Sequence, residues 1–173
     1  MPSSLDFGDG FDPSLRHDRI TANGVDLHVV SAGEGPTVLL VHGNPSTWLV
    51  WRRIMPALAR SHRVVAPDLR GFGDSARPLR GYDKATLARD MEGVMDAMGV
   101  DEFDVIGHDF GSQIGYRLAK LAPERVRRLV VIEGLLPEIT TEPFPDQSRF
   151  WFVPFSMQPD LPELLTLGRE SST

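Results

Sequence analysis

Phe103-Asp104-Val105-Ile106-Gly107-His108-Asp109-Phe110-Gly111-Ser112 is the stretch whose reading decides the fold. A short apolar run ends in Gly107, and a helical pattern starts directly after Asp109. Asp109 stands between Gly107, two residues before it, and Gly111, two residues after it. This spacing predicts a strained strand-to-helix turn that presents one side chain at the carboxyl end of a buried strand. Glycines are needed there because the strand and helix backbones approach too closely for a Cβ. The presented group is a carboxylate, where many such turns carry serine.

The segments on either side alternate in the same way. Thr37–Val41 is a continuous β-branched and leucine run, the composition of a strand buried on both faces of a parallel sheet, and it ends at His42-Gly43-Asn44-Pro45. Arg63–Ala66 is a short strand followed by the glycine-rich loop from Pro67 to Ser75. Arg127–Ile132 is another buried-type strand, ending at Glu133-Gly134. Between the strands lie Trp48–Arg60, with apolar residues at Val50, Ile54 and Leu58, and Lys84–Met98, with Leu87, Met91, Val94, Met95 and Met98. Both have helical spacing, and Gly99 caps the second. The helix after Asp109 covers residues 110–121 and closes at Ala122-Pro123. Strand alternating with helix from residue 37 onward predicts an α/β fold, with a mostly parallel sheet, right-handed crossovers and a helix layer on each face. Asn23-Gly24, between Ile20–Ala22 and Val25–Val30, predicts a hairpin and hence an antiparallel flank at the N-terminus.

Residues 1–18, broken by Gly8, Gly10 and Pro13, read as a disordered leader; residues 19–136 read as the core. From 137 to 173 prolines punctuate an aromatic-rich segment with Phe144, Phe150, Trp151, Phe152 and Phe155. Aromatics at this density are expected to cover an active-site mouth or another segment.

With 173 residues, 41% of them hydrophobic, the chain suits one globular domain. A net charge of −6 argues against a nucleic-acid surface, and the absence of cysteine removes disulfides, thiol chemistry and cysteine metal sites. The polar, acidic N-terminus has neither a basic nor an apolar signal region, and no stretch approaches the about 18 consecutive apolar residues of a membrane span. A cytoplasmic location without membrane contact is expected.

Taken together, HGNP (42–45), DLRGFGDS (68–75), GHDFGS (107–112) and VIEG (131–134), in this order and spacing, resemble the α/β-hydrolase superfamily. Within it the pattern is similar to the branch of epoxide hydrolases and haloalkane dehalogenases, whose nucleophile is aspartate. The resemblance runs from about residue 20 to the end and implies the three-layer α/β-hydrolase sheet. It implies no cofactor and no metal, and a small-molecule epoxide or organohalide as substrate. It assigns Asp109 as nucleophile and the backbone N–H groups of Asn44 and Phe110 as oxyanion donors. In one subset of the family the acid that orients the catalytic histidine stands where Glu133 stands here. His42 and His108 occupy positions that are structural in the family, and the loop 68–75 reads as structural too. Trp48 and Trp51 read as packing residues; Trp151 reads as packing that could also line the pocket entrance.

The chemistry agrees with these assignments. A carboxylate at the N-terminus of helix 110–121 faces free amides and the positive end of the helix dipole. It can attack an electrophilic carbon in line, opening an epoxide or displacing halide, and leave an alkyl-enzyme ester. Hydrolysis of that ester creates an oxyanion that needs preorganised donors. The competing structural reading of Asp109 is a helix N-cap; that of Glu133 is a solvated loop residue.

Ester hydrolysis also needs a base to activate water, and in the superfamily this is a histidine that follows the nucleophile and the acid. All five histidines (17, 28, 42, 62 and 108) precede Asp109. The sequence therefore reads as the N-terminal half of such an enzyme, truncated before the last strands, with 137–173 the start of a cap domain. It is expected to be catalytically incomplete, to be completed by a C-terminal half, or to self-associate through an uncovered sheet edge. A non-enzymatic truncated fragment is the alternative from another class. Between the two reactions, Asn44 matches dehalogenases, which use an asparagine after HG to hold halide. Their second halide donor is a tryptophan indole directly after the nucleophile, and here that residue is Phe110, which has no N–H to give. Epoxide hydrolysis fits better, with haloalkane dehalogenation second.

Overall fold

The computed structural model describes residues 14–136. They form one sheet of six strands: β1 (Arg16–Ala22), β2 (Val25–Ala32), β3 (Thr37–Val41), β4 (Arg63–Pro67), β5 (Phe103–His108) and β6 (Val126–Ile132). The spatial order is β1-β2-β4-β3-β5-β6. β1 pairs antiparallel with β2, and β2 antiparallel with β4, whereas β4, β3, β5 and β6 run parallel. The mostly parallel sheet with an antiparallel N-terminal flank is the architecture that the alternating pattern predicts. Asn23 and Gly24 turn the first hairpin with φ of 49° and 73°, the left-handed pair that a two-residue hairpin requires.

Alternation along β3 distributes its apolar run to two cores. Leu39 and Val41 face α2 (Lys84–Ala97) and α3 (Phe110–Leu121), packing with Leu87, Met91, Met95, Val105, Ile114 and Leu118. Val38 and Leu40 face the other way, against Trp48, Trp51 and Met55. Every residue of β3 is buried, which is why the strand carries no polar alternation. The apolar face predicted for α2 is the buried one. Asp83 caps this helix, its carboxylate accepting from Ala85 N and Thr86 N at 3.1 and 3.0 Å.

Two expectations fail at their edges. The helix predicted over Trp48–Arg60 is instead a 3-10 turn at Trp48–Trp51 followed by a single helical turn, α1 (Met55–Leu58). Pro56 in the first turn of α1 has no N–H to continue an α-helical ladder from residue 52, so the run breaks. Trp48, Trp51 and Met55 are buried while Val50 and Ile54 are exposed, so the buried face differs from the one the spacing suggested. The predicted leader is also too long, because Arg16, His17 and Asp18 pair with Ser31, Val30 and Val29 as part of β1. The segment assigned to the cap, with Trp151, lies outside the described residues.

No helix among the described residues is long and apolar enough to cross a membrane. β6 ends the sheet order and, against the buried-type reading of Arg127–Ile132, none of its residues is buried, with Val130, Val131 and Ile132 between 36% and 48% exposed, because a strand at the end of the order is covered by a neighbouring strand on one side only.

Candidate active site

β3 and β5 are parallel neighbours in register, Val41 opposite Gly107, so the loops leaving their carboxyl ends lie side by side. One loop carries His42, Gly43 and Asn44; the other is the turn at Asp109. The Asn44 amide donates to Asp109 Oδ1 at 3.0 Å. This approach needs a glycine at 43, since a Cβ there would lie 2.6 Å from Asp109 Cβ and 2.7 Å from Oδ1. The Asn44–Pro45 peptide is cis.

Asp109 has φ 53° and ψ −120°, a left-handed value uncommon outside glycine, as a strained turn predicts. It occupies the N-cap position of α3, yet its side chain makes no capping hydrogen bond. The structural reading of Asp109 as a helix cap therefore fails, and the carboxylate is directed to the Asn44 amide. Phe110 is the first residue of α3, where the backbone N–H has no acceptor within the helix. The Phe110 ring packs against the core, with Lys84 Nζ 4.8 Å from its centre.

The turn is held from three sides. Its N–H joins the ladder, Asp109 N donating to Ile132 O at 2.9 Å. Ser112 Oγ donates to Gly107 O at 2.7 Å and accepts from Ile132 N at 3.3 Å, tying α3 to the ends of β5 and β6. A Cβ on Gly134 would lie 2.2 Å from Ser112 Cβ, so the glycine after Glu133 is part of the same packing. The sequence gives Ser112 and Gly134 no role of their own; the spacing GxDxGS contains the serine but gives no sign of its partners.

His42 is fully buried, its Nδ1 donating to Gly43 O at 2.8 Å and its Nε2 accepting from Leu69 N at 3.0 Å. Burial holds its pKa below the ordinary value, against the opposing pull of the Gly43 carbonyl and Asp68. A neutral ring with this tautomer matches both bonds, in keeping with its expected role of shaping the loop. His108 points to the opposite side of the sheet, edge-on to Trp51 at 6.4 Å, and its Nε2 lies 3.4 Å from Glu133 Oε2. Glu133 sits just past β6 with φ 51°, and its side chain is 83% exposed. Asp109, Asn44 and Phe110 are thus gathered at one point, with Glu133 at the end of the adjoining strand. No group of three potential metal ligands occurs among the described residues. A cavity of about 800 Å³ opens elsewhere, lined by Arg16, Asp18, Glu34 and Arg63 among others, and includes none of these site residues.

Residues 36–166 match the α/β hydrolase fold family. The chain is 39% identical over 134 residues to a soluble epoxide hydrolase of Corynebacterium sp. (strain C12), an overlap of 76% of this chain and 47% of that one. Among solved structures, Cfl2 from Burkholderia cenocepacia shares 38% identity with a TM-score of 0.82, over 92% of this chain and 58% of that one. The epoxide hydrolase CorEH shares 35% with a TM-score of 0.81, over 88% and 55%. The chain spans less than half the length of the curated relatives it matches. It belongs to the α/β-hydrolase fold family, in the branch that holds the epoxide hydrolases.

Proposed function

We propose that these residues form the nucleophilic half of an epoxide-hydrolase-like site. One observation carries the reading: a carboxylate at a helix N-terminus that leaves the helix uncapped and instead meets the Asn44 amide at 3.0 Å. An Asp109 oxygen attacks an epoxide carbon, forming an ester C–O bond as the ring C–O bond breaks, and the alkoxide takes a proton from water, leaving hydroxide to solvent. The amides of Asn44 and Phe110 then serve the oxyanion of ester hydrolysis. Glu133 is assigned to orient the base. No histidine follows Asp109 in the 173 residues, so the base is to come from outside them. Turnover by this chain alone is expected to stop at the ester, since a positioned base accounts for about 10²–10⁴-fold.

Incubation with styrene oxide followed by intact-mass measurement tests the reading. A one-to-one adduct is expected, mapping to Asp109 and absent in Asp109→Asn, whose amide is a poor nucleophile. Full conversion to diol without any added chain would sink the incomplete-site reading. Release of halide from a haloalkane, with no adduct or diol from epoxides, would favour dehalogenation, the second reading that Asn44 supports. Silence toward both would favour a non-enzymatic fragment.

The partner side of the proposal rests on β6. Its exposed valines and isoleucine at the end of the sheet suit either a second copy or a complementary C-terminal half. Sedimentation velocity is expected to show a concentration-dependent dimer that Val130→Lys weakens. A monomer at all concentrations would remove self-association.

A further inference from the structure

Within the loop bearing Asn44 one backbone bond closes a turn, Ser46 N to Gly43 O at 3.2 Å, and its two ends are seated on other elements. Residues 42–48 rest on two consecutive residues after β4: His42 Nε2 accepts from Leu69 N, and Trp48 N donates to Asp68 Oδ1 at 2.8 Å. Asp68 is almost fully buried, and a buried carboxylate persists only with donors around it. Burial pushes its carboxyl upward, but hydrogen bonds from His28, Trp48 N and Asp74 N outweigh this and hold it below the usual range.

His28, also buried, supplies the side-chain donor in that set, its Nδ1 lying 2.8 Å from Asp68 Oδ2. Behind it, His17 Nδ1 lies 3.0 Å from His28 Nε2. The carboxylate can only accept, so His28 Nδ1 carries the proton of that bond, and one of the two facing nitrogens, His17 Nδ1 or His28 Nε2, carries the proton of the other. The two rings stack at 5.2 Å and 24°, and Trp48 stands edge-on to both, at 5.2 Å from His17 and 6.5 Å from His28. A chain of hydrogen bonds thus runs from β1 through β2 to Asp68, which meets the Trp48 amide at the far end of the Asn44 loop.

We propose that His28, backed by His17, is a positioning residue for the oxyanion donor: through Asp68 it fixes the loop that presents the Asn44 amide to Asp109. The proposal rests on the reading of Asn44 as that donor. With the loop seated at one end only, by His42 on Leu69, the 3.0 Å contact between Asn44 N and Asp109 would be one of several loop positions.

His28→Leu and His28→Asn separate positioning from bulk packing, since asparagine keeps an N–H donor. The readouts are amide hydrogen exchange at Trp48 and Asn44, and the rate of adduct formation on Asp109 with styrene oxide. His28→Leu is expected to speed exchange at both amides and slow ester formation, each by about tenfold, the equivalent of one lost hydrogen bond to a charged group. His28→Asn is expected to restore most of both. A folded His28→Leu protein with unchanged exchange at the two amides, or with faster exchange and an unchanged adduct rate, would overturn the proposal. If the unaltered protein takes up no epoxide, the functional reading fails while the exchange data still decide whether the relay holds the loop. Should His28→Leu not fold, His17→Phe keeps a stacked ring without the nitrogen that bonds His28. Faster Trp48 exchange in it supports the relay, and unchanged exchange overturns it.

Discussion

Gly111→Ala is expected to destabilise the protein by about 3 kcal/mol or more, the upper end of what an added methyl costs in a packed core. A Cβ at 111 would lie 2.1 Å from Val41 O and 2.6 Å from His42 O. Both atoms are backbone, so no side chain can swing away, and relief requires α3 to move off β3. The conformation of Gly111 is not the reason, since its φ is not among the positive values. Gly99 provides the contrast: its φ is 66° and nothing lies within 4 Å of a built Cβ. Gly99→Ala is therefore expected to cost about 1–2 kcal/mol, from the left-handed backbone alone. Chemical denaturation of the two variants checks the order. Equal losses would mean that the strand–helix approach is not the tight point of the fold. The folded fraction of Gly111→Ala should also lose adduct formation, because the atoms displaced lead directly into Gly43 and Asn44.

That glycine is legible in the sequence, and the reason is local. The elbow and the loop after β3 are each specified within a few residues, by glycines that a close approach demands and by the apolar run that precedes them. The same holds for Thr37–Val41 and for the Asn23-Gly24 hairpin. What escaped the sequence depends on partners far along the chain. His28 and Asp68 are 40 residues apart, and Asp90 reads only as one polar residue within an amphipathic helix. The strand start at Arg16 was missed because β1 is largely exposed and its residues carry little apolar alternation. The break at Pro56 is visible as a residue, but the helical spacing of Val50, Ile54 and Leu58 outweighs it, although Trp48, Trp51 and Met55 form the buried face. Ser112 was visible in the motif, whereas its tie to Ile132 exists only once β6 lies beside β5.

Arg70→Met is expected to cost about 3–5 kcal/mol, a large share of the about 5–15 kcal/mol by which a domain is stable. Asp90 on α2 is 0% exposed. Arg70 meets it with two bonds of 2.6 Å, Nε to Oδ2 and Nη2 to Oδ1, and Asn23 Nδ2 adds a third at 2.7 Å. The bond to Asp90 is also the main reason the guanidinium pKa lies above its ordinary value. Removing Arg70 leaves a carboxylate inside the core with a single neutral donor, which is more costly than the pair was ever worth. The pair itself gains little over apolar residues, because taking two charges out of water offsets most of their attraction. Arg70→Met/Asp90→Met should therefore be closer to the unaltered protein than Arg70→Met alone, with Asn23 left exposed enough to turn to water. Because Arg70 follows Asp68 and Leu69, the single variant should also loosen the seat of the Asn44 loop, and adduct formation should fall before global unfolding is complete. Thermal and denaturant unfolding of the three proteins checks the order. A single variant within about 1 kcal/mol of the unaltered protein, the range of an exposed pair, would show that water reaches Asp90 and that this end of α2 is not sealed.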